Sequence, residues 1–450
     1  MPQASPLNAI TDDLAELQKE LNGQLNDAMA SLDRDLADLT SPRETKARTT
    51  PPSRGFRKTS EPKFARASQL AKPAQLIASP FAATPAKREH SKLSLFRDVA
   101  AAVLEVDIPH FNWLNYALFH AGVPPVYWVE VKNTGHRTIE NLIVEIGLLP
   151  EDYGPAWQAS TGRLEQTEQW RDEAVRLPLR LRRLKDVVET ERATLQVRVS
   201  EDERVLWVRT IPIDVHPYNQ WILIPEAMGF LATFVTPNRE VIQQILKKAA
   251  VRLAERTGDA SFDGYQRLEE QPERVRDQIA ALHDTLLEDY AIEYINPPAS
   301  FERSGQKIRF PEETIEHGRG TCMDLSVLLA ALMEQAGLHP IIAVIPGHAF
   351  VGCWTEEYVF TEPAPDVVQD MYQGGEIATA IQDGLLLFVD STTHTAGHAF
   401  DVAEAEGRRH VDEILAEAME EGKMNPDESA TFLYLVDVCA CRGAGVTPLP

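Results

Sequence analysis

The 450-residue chain carries 44 Lys and Arg against 68 Asp and Glu, a net charge of −24. An acidic surface repels phosphate backbones and anionic lipid, which argues against nucleic-acid or membrane-surface binding by the chain as a whole. Apolar residues at 44% and charged residues at 25% are ordinary for a globular protein, and no apolar run reaches the ~18 to 20 residues of a membrane span.

The length predicts roughly three units. The opening segment MPQASPLNAITDDL has neither a basic start nor an apolar stretch, so the expected location is cytoplasmic. Residues 1–40 carry Leu7, Ile10, Leu14, Leu17 and Leu21 at helical spacing and, after a slip in phase, Leu25, Leu32, Leu36 and Leu39, with Thr11 as a potential cap. That stripe predicts an amphipathic helix, able to oligomerise, to hold a partner or to lie on its own protein. Residues 41–95 change character: twelve Lys and Arg, three Glu, seven Pro and no periodicity. They read as a disordered basic linker of net charge +9, so the other residues together carry −33. Nucleic acid, if contacted at all, would meet this linker.

Residues 96–220 are rich in short runs of Val, Ile, Leu and Trp: 126–132, 138–148, 175–184, 193–199 and 205–213. Turn residues separate them, and several alternate apolar with polar positions, which predicts an immunoglobulin-like β-sandwich. Residues 221–450 return to mixed structure. Helical patterns at 239–257, 272–288 and 323–335 precede strand-like runs at 339–345, 349–354 and 385–390, then a helix over 402–422 and a strand near 432–438. A helix cluster followed by strands is an α+β pattern. Neither a phosphate-binding glycine loop nor a HExxH pair is present.

Chemistry concentrates around GRGTCMDLSVLLAALMEQAG, residues 318–337. Thr321 and Asp324 have the spacing of a capping box, so the helix is predicted to begin at Cys322. Unpaired N–H groups and the positive end of the helix dipole favour a thiolate there. A thiol nucleophile needs a base and a group that orients the base. His348 follows the Pro346-Gly347 turn at the mouth of a strand, facing a cleft. Asp390 ends the apolar run LLLFV, where a buried carboxylate needs a partner such as an imidazole. Asp383 and Glu362 are alternatives to Asp390. The Cys322 N–H and the Gln306 amide are oxyanion candidates, and Tyr294, with Pro297, Pro298 and Phe301, is a candidate either to line the cleft or to pack in the core.

Asp390, His394 and His398 recur every four residues, a metal-ligand face if they lie on one helix, but Ser391-Thr392-Thr393 after a strand and Gly397 oppose that helix. No metal or cofactor is expected. Four cysteines form neither a disulfide framework nor a paired CxxC zinc site. Cys353 reads as core, and Cys439 and Cys441 as alternating positions on one face of a strand.

The order Cys322, His348, Asp390 resembles the transglutaminase-like group of papain-type cysteine enzymes. There a Gly-x-Cys heads a helix, a His opens the next strand, and a strand ending Asp-x-Thr supplies the third member. More closely, residues from about 225 onward resemble a module near the N-terminus of large bacterial helicase-nuclease proteins, some linked to phage defence. The matching segments are IEYINPPASFE (292–302), GQKIRFP (305–311), GTCMDL (320–325), PGHAFVG (346–352), VDV (436–438) and PLP (448–450). The resemblance implies a transglutaminase-like fold, the Cys-His-Asp triad, and thiol-mediated acyl transfer; it leaves the substrate open, with a peptide or protein as the leading expectation. Peptide hydrolysis, deamidation and cross-linking all remain open, as does a catalytically silent binding module. The helicase motifs of those larger proteins are not found here, so no nucleic-acid activity is implied.

Overall fold

The computed structural model describes residues 64–66, 104–297, 305–373, 375–421 and 431–450. The predicted N-terminal helix, most of the basic linker, and Pro298 and Phe301 lie outside them. Within the linker, Phe64–Arg66 is a short strand paired antiparallel with Tyr358–Phe360. The architecture is α+β, and no helix among the described residues is long and apolar enough to cross a membrane.

Residues 104–215 form two sheets. One has five strands in the order Trp113–Leu114, Arg204–Val215, Glu191–Glu201, Ile139–Leu149, Trp157–Leu164. The other has three, in the order Leu104–Asp107, Val129–Asn133, Gln169–Asp172. Alternation drives both: Val129, Val131 and Asn133 are buried while Glu130 and Lys132 are partly exposed.

The strand expected over residues 175–184 is absent. Pro178, which has no N–H to give to a ladder, sits in its middle, and the segment turns into the Leu181–Lys185 helix. Leu177 is buried, whereas Leu181, expected on the same face, is exposed. The strands Trp157–Leu164 and Gln169–Asp172 were not expected.

After residue 220 the helices Glu240–Thr257 and Arg274–Asp289 pack against Cys322–Gln335. The last helix is buried from Cys322 to Met333, on every face, because helices cover one side and a sheet the other. That sheet is antiparallel, in the order Leu386–Val389, His348–Trp354, Pro340–Ile345, Tyr434–Asp437. One apolar cluster runs from Leu104 to Leu449 across both regions. Trp221, fully buried, joins them through a short ladder in which Gln220–Trp221 pairs with Gln306–Lys307.

The expected strand position of Cys439 and Cys441 is corrected. The strand stops at Asp437, whose side chain accepts the Ala440 N–H at 2.9 Å and caps a helix, Val438–Gly443. Both thiols therefore sit on a helix rather than on one face of a strand.

Candidate active site

Cys322 is the first residue of its helix. The Thr321 hydroxyl accepts from Asp324 N at 3.3 Å, and the Asp324 carboxylate returns the bond by accepting Thr321 N at 2.9 Å. Asp324 is fully buried and also accepts the Arg309 backbone N–H and guanidinium, each at 2.8 Å. The helix start is thus fixed from within and tied to a distant loop.

The opposite wall is the hairpin Pro340–Ile345 to His348–Trp354. Its register pairs Ile345 with His348 across the two-residue Pro346-Gly347 turn, and Gly347 takes φ +74°. His348 therefore sits at the open end of the sheet. Its neighbour strand Leu386–Val389 ends one residue before Asp390. His348 Nε2 lies 3.2 Å from Asp390 Oδ2. Burial opposes charge on His348, but hydrogen bonds to Asp390 and Cys322 outweigh it and hold the imidazole at about 9. With Nε2 on Asp390, Nδ1 is the ring nitrogen left for Cys322.

Tyr294 joins the same group. Its short strand Glu293–Tyr294 runs parallel to Arg319–Gly320, with Tyr294 opposite Gly320, two residues before the thiol. Burial and the neighbouring Cys322 push its hydroxyl up to about 12, although the residue as a whole is 39% exposed. Tyr294 thus neighbours Cys322, which is itself 1% exposed.

Gln306 is 3% exposed rather than on the surface, where a Gln between charged neighbours would ordinarily lie. Its Nε2 donates to Thr321 Oγ1 at 3.4 Å, while its Oε1 has no hydrogen-bond partner among the described residues. Asp383 is exposed at the end of the Glu376–Gln382 helix, and Glu362 is exposed; the carboxylate that meets His348 is Asp390.

Sequence reasoning missed His410. It projects from the Phe400–Glu421 helix, and its Nε2 lies 3.0 Å from Asp390 Oδ2, the oxygen that His348 also uses. The two rings are 4.8 Å apart. Asp390 Oδ1 is filled by Thr392, from its N–H at 2.9 Å and its hydroxyl at 2.7 Å. Burial favours a neutral Asp390, yet the two histidines and Thr392 overcome it and depress the carboxyl far below its ordinary value.

A signal for His410 does exist. Gly407 lies within the helix, and a Cβ there would lie 2.6 Å from the Phe388 and Val389 backbone. The helix is pressed onto the strand leading to Asp390, and Asp390 N donates to Ala403 O at 2.8 Å. Ala403, Gly407 and His410 share one helix face. A second missed link is Ser326, whose hydroxyl donates to Cys322 O at 2.7 Å and sits 3.1 Å from Ser391 Oγ, beside Asp390.

The metal-ligand face weighed for His394 and His398 does not form. His394 is buried against His283, ring centroids 5.9 Å apart, and burial lowers it to about 3; His398 is exposed. The described side chains that bring three ligand atoms together are His348, Asp390 and His410, all within 4.8 Å of one another. Among the other thiols, burial pushes Cys353 up to about 12 and raises Cys439 and Cys441 as well. No family model and no curated protein matches the chain.

Proposed function

We propose that the chain is a thiol-dependent acyl-transfer enzyme, a cysteine peptidase or amidohydrolase of transglutaminase-like, papain-type architecture, with an immunoglobulin-like sandwich formed by its 104–215 sheets. The observation that carries this reading is one imidazole, His348, bonded to Asp390 on Nε2 and coupled to Cys322, the first residue of its helix. Four free cysteines accord with a reducing, cytoplasmic setting.

In the mechanism, the Cys322 proton passes to His348 and the sulfur attacks the carbonyl carbon of a peptide or isopeptide bond. The oxyanion develops beside the Cys322 N–H and the Gln306 amide. His348 returns the proton to the departing amine, leaving a thioester. Water, deprotonated by His348, then releases the acid and restores the thiol. Asp390 fixes the ring orientation and stabilises the imidazolium throughout.

A silent binding module is the second reading, and the burial of Cys322, 1% exposed, favours it. Labelling separates the two. Iodoacetamide is expected to modify Cys322 at least ~10-fold faster than Cys353, Cys439 or Cys441, since the thiolate is the reactive form. Cys322→Ala is expected to abolish turnover with an unchanged circular dichroism spectrum. Equal labelling rates, or full turnover in the variant, would overturn the enzymatic reading.

A further inference from the structure

We propose that His348, Asp390 and His410 form a site for a divalent transition-metal ion of the zinc class, and that loading it arrests the thiol chemistry. The binding half stands on the geometry of this cluster alone; the arrest rests on the proposed function.

The three ligands come from three separate elements: the first residue of a strand, the residue after another strand, and the interior of a long helix. Their convergence is therefore a property of the tertiary fold. His348 Nε2 and His410 Nε2 face the same carboxylate oxygen at 3.2 and 3.0 Å. Neighbouring ligand atoms around a zinc-sized ion bound at ~2.1 Å lie about that far apart.

The carboxylate is prepared for one-oxygen ligation. Oδ1 is occupied twice by Thr392, so only Oδ2 points at the imidazoles. Such outer bonds hold a ligating carboxylate in place. The helix bearing His410 is seated by Gly407 and by the Asp390 N–H on Ala403 O, so the ligands are held close together before an ion arrives. Side-chain exposures of 19% for His348, 17% for His410 and 8% for Asp390 leave an entry path.

Two imidazoles and one carboxylate select zinc, cobalt, nickel or iron(II) over calcium or magnesium, which prefer all-oxygen sets. In the metal-free protein both Nε2 atoms act as donors to Oδ2. The ion replaces the His348 Nε2 proton, which leaves to solvent. The proton on His410 Nε2 must also leave that nitrogen, moving through solvent to Nδ1, so that both Nε2 atoms are bare toward the ion. A metal-bound His348 retains Nδ1–H, and giving that proton to a leaving amine would require an imidazolate. The amine then stays unprotonated, and the first half-reaction stops.

The test uses the full chain, stripped with EDTA and dialysed. Titration with Co2+ is expected to give a d–d absorption band saturating at one equivalent, and calorimetry with Zn2+ the same stoichiometry. His410→Phe, which keeps a ring against Phe350, is expected to weaken both by at least ~10-fold with an unchanged circular dichroism spectrum. Cys322→Ala is expected to bind as wild type does. Zn2+ is expected to block turnover, with EDTA restoring it. Absence of saturable binding, unchanged affinity in His410→Phe, or a sulfur-to-cobalt band lost in Cys322→Ala would overturn the site. Cobalt binding in a protein whose Cys322 labels no faster than its other thiols would retain the site and sink only the thiol reading.

Discussion

The two edges of the four-stranded sheet treat a buried aspartate in opposite ways. Asp437 closes the strand at one edge and is fully buried; its Oδ2 accepts the Trp354 indole N–H at 2.9 Å and the Phe360 N–H at 2.8 Å, and its Oδ1 accepts Ala440 N. Every one of those donors is neutral. Burial dominates, and the pKa of Asp437 is raised. Asp390 follows the strand at the other edge and is also buried, though less completely, but two of its donors are imidazoles and its carboxyl is depressed. Donors that can themselves gain or lose a proton hold a buried carboxylate in its charged form, where neutral donors do not.

Exchanging the loss between the two edges is the strongest way to break this comparison. Asp390→Ala is expected to lower kcat/KM by roughly 10³ to 10⁴-fold with a modest change in thermal midpoint, because the imidazole loses its orienting partner. Asp437→Ala leaves three buried donors unpaired and is expected to cost about 3 to 5 kcal/mol of stability by urea unfolding, with near-normal turnover per folded molecule. A folded but inactive Asp437→Ala, or an Asp390→Ala that unfolds, would erase the distinction.

The pH dependence of stability sharpens it further. The folded protein holds His348 at about 9, above the ~6.5 of an unfolded chain. Its contribution is therefore complete below about pH 6.5 and disappears as pH rises through about 9. Asp390 works in the other direction, contributing above about pH 3.9 and losing that contribution on acidification. Both values describe one ion pair, worth up to about 3 kcal/mol. In EDTA-treated protein, the wild type is expected to lose stability between pH 6.5 and 9.5, and His348→Gln to lose much less. Asp437, with a raised value, favours the fold most when neutral, so its contribution falls as pH climbs above about 3.9. Equal slopes for wild type and His348→Gln would remove the charged pair from the account.

How much of this is legible in sequence follows from the range of each interaction. The Cys322 cap was readable because Thr321 and Asp324 are three residues apart and capping is local. The clamp from Arg309 onto Asp324 spans fifteen positions and leaves no local trace. The strands carrying His348 and Asp390 announced themselves as apolar runs, with a Pro-Gly turn marking where His348 emerges. His410 lies inside a helix whose pattern is fully explained by its buried face of Phe400, Ala403, Val411 and Ala418, so an imidazole three residues beyond a lone glycine drew no notice. In the sheet region, apolar content misled in both directions: Leu177 and Leu179 flank a proline that forbids the ladder, while Trp157–Leu164, at the edge of its sheet, is too polar to read as a strand.

Smaller substitutions probe what holds the Asp390 edge together. Gly407→Ala places a methyl 2.6 Å from the Phe388 and Val389 backbone, and the helix must lift away. The expected cost is about 2 kcal/mol, with activity falling as His410 withdraws from Asp390. Ser326→Ala is gentler. Its hydroxyl is the direct side-chain link between the Cys322 turn and Ser391, so removing it costs about 1 kcal/mol and strands the Ser391 hydroxyl. Because Cys322 and Asp390 stay on their own elements, kcat is expected to drop only a few-fold with KM unchanged. The Asp437 edge, which shares none of these bonds, should keep its acid-side stability profile. A change there instead would mean that the two edges respond as one unit, and that the contrast between their aspartates is not a local property.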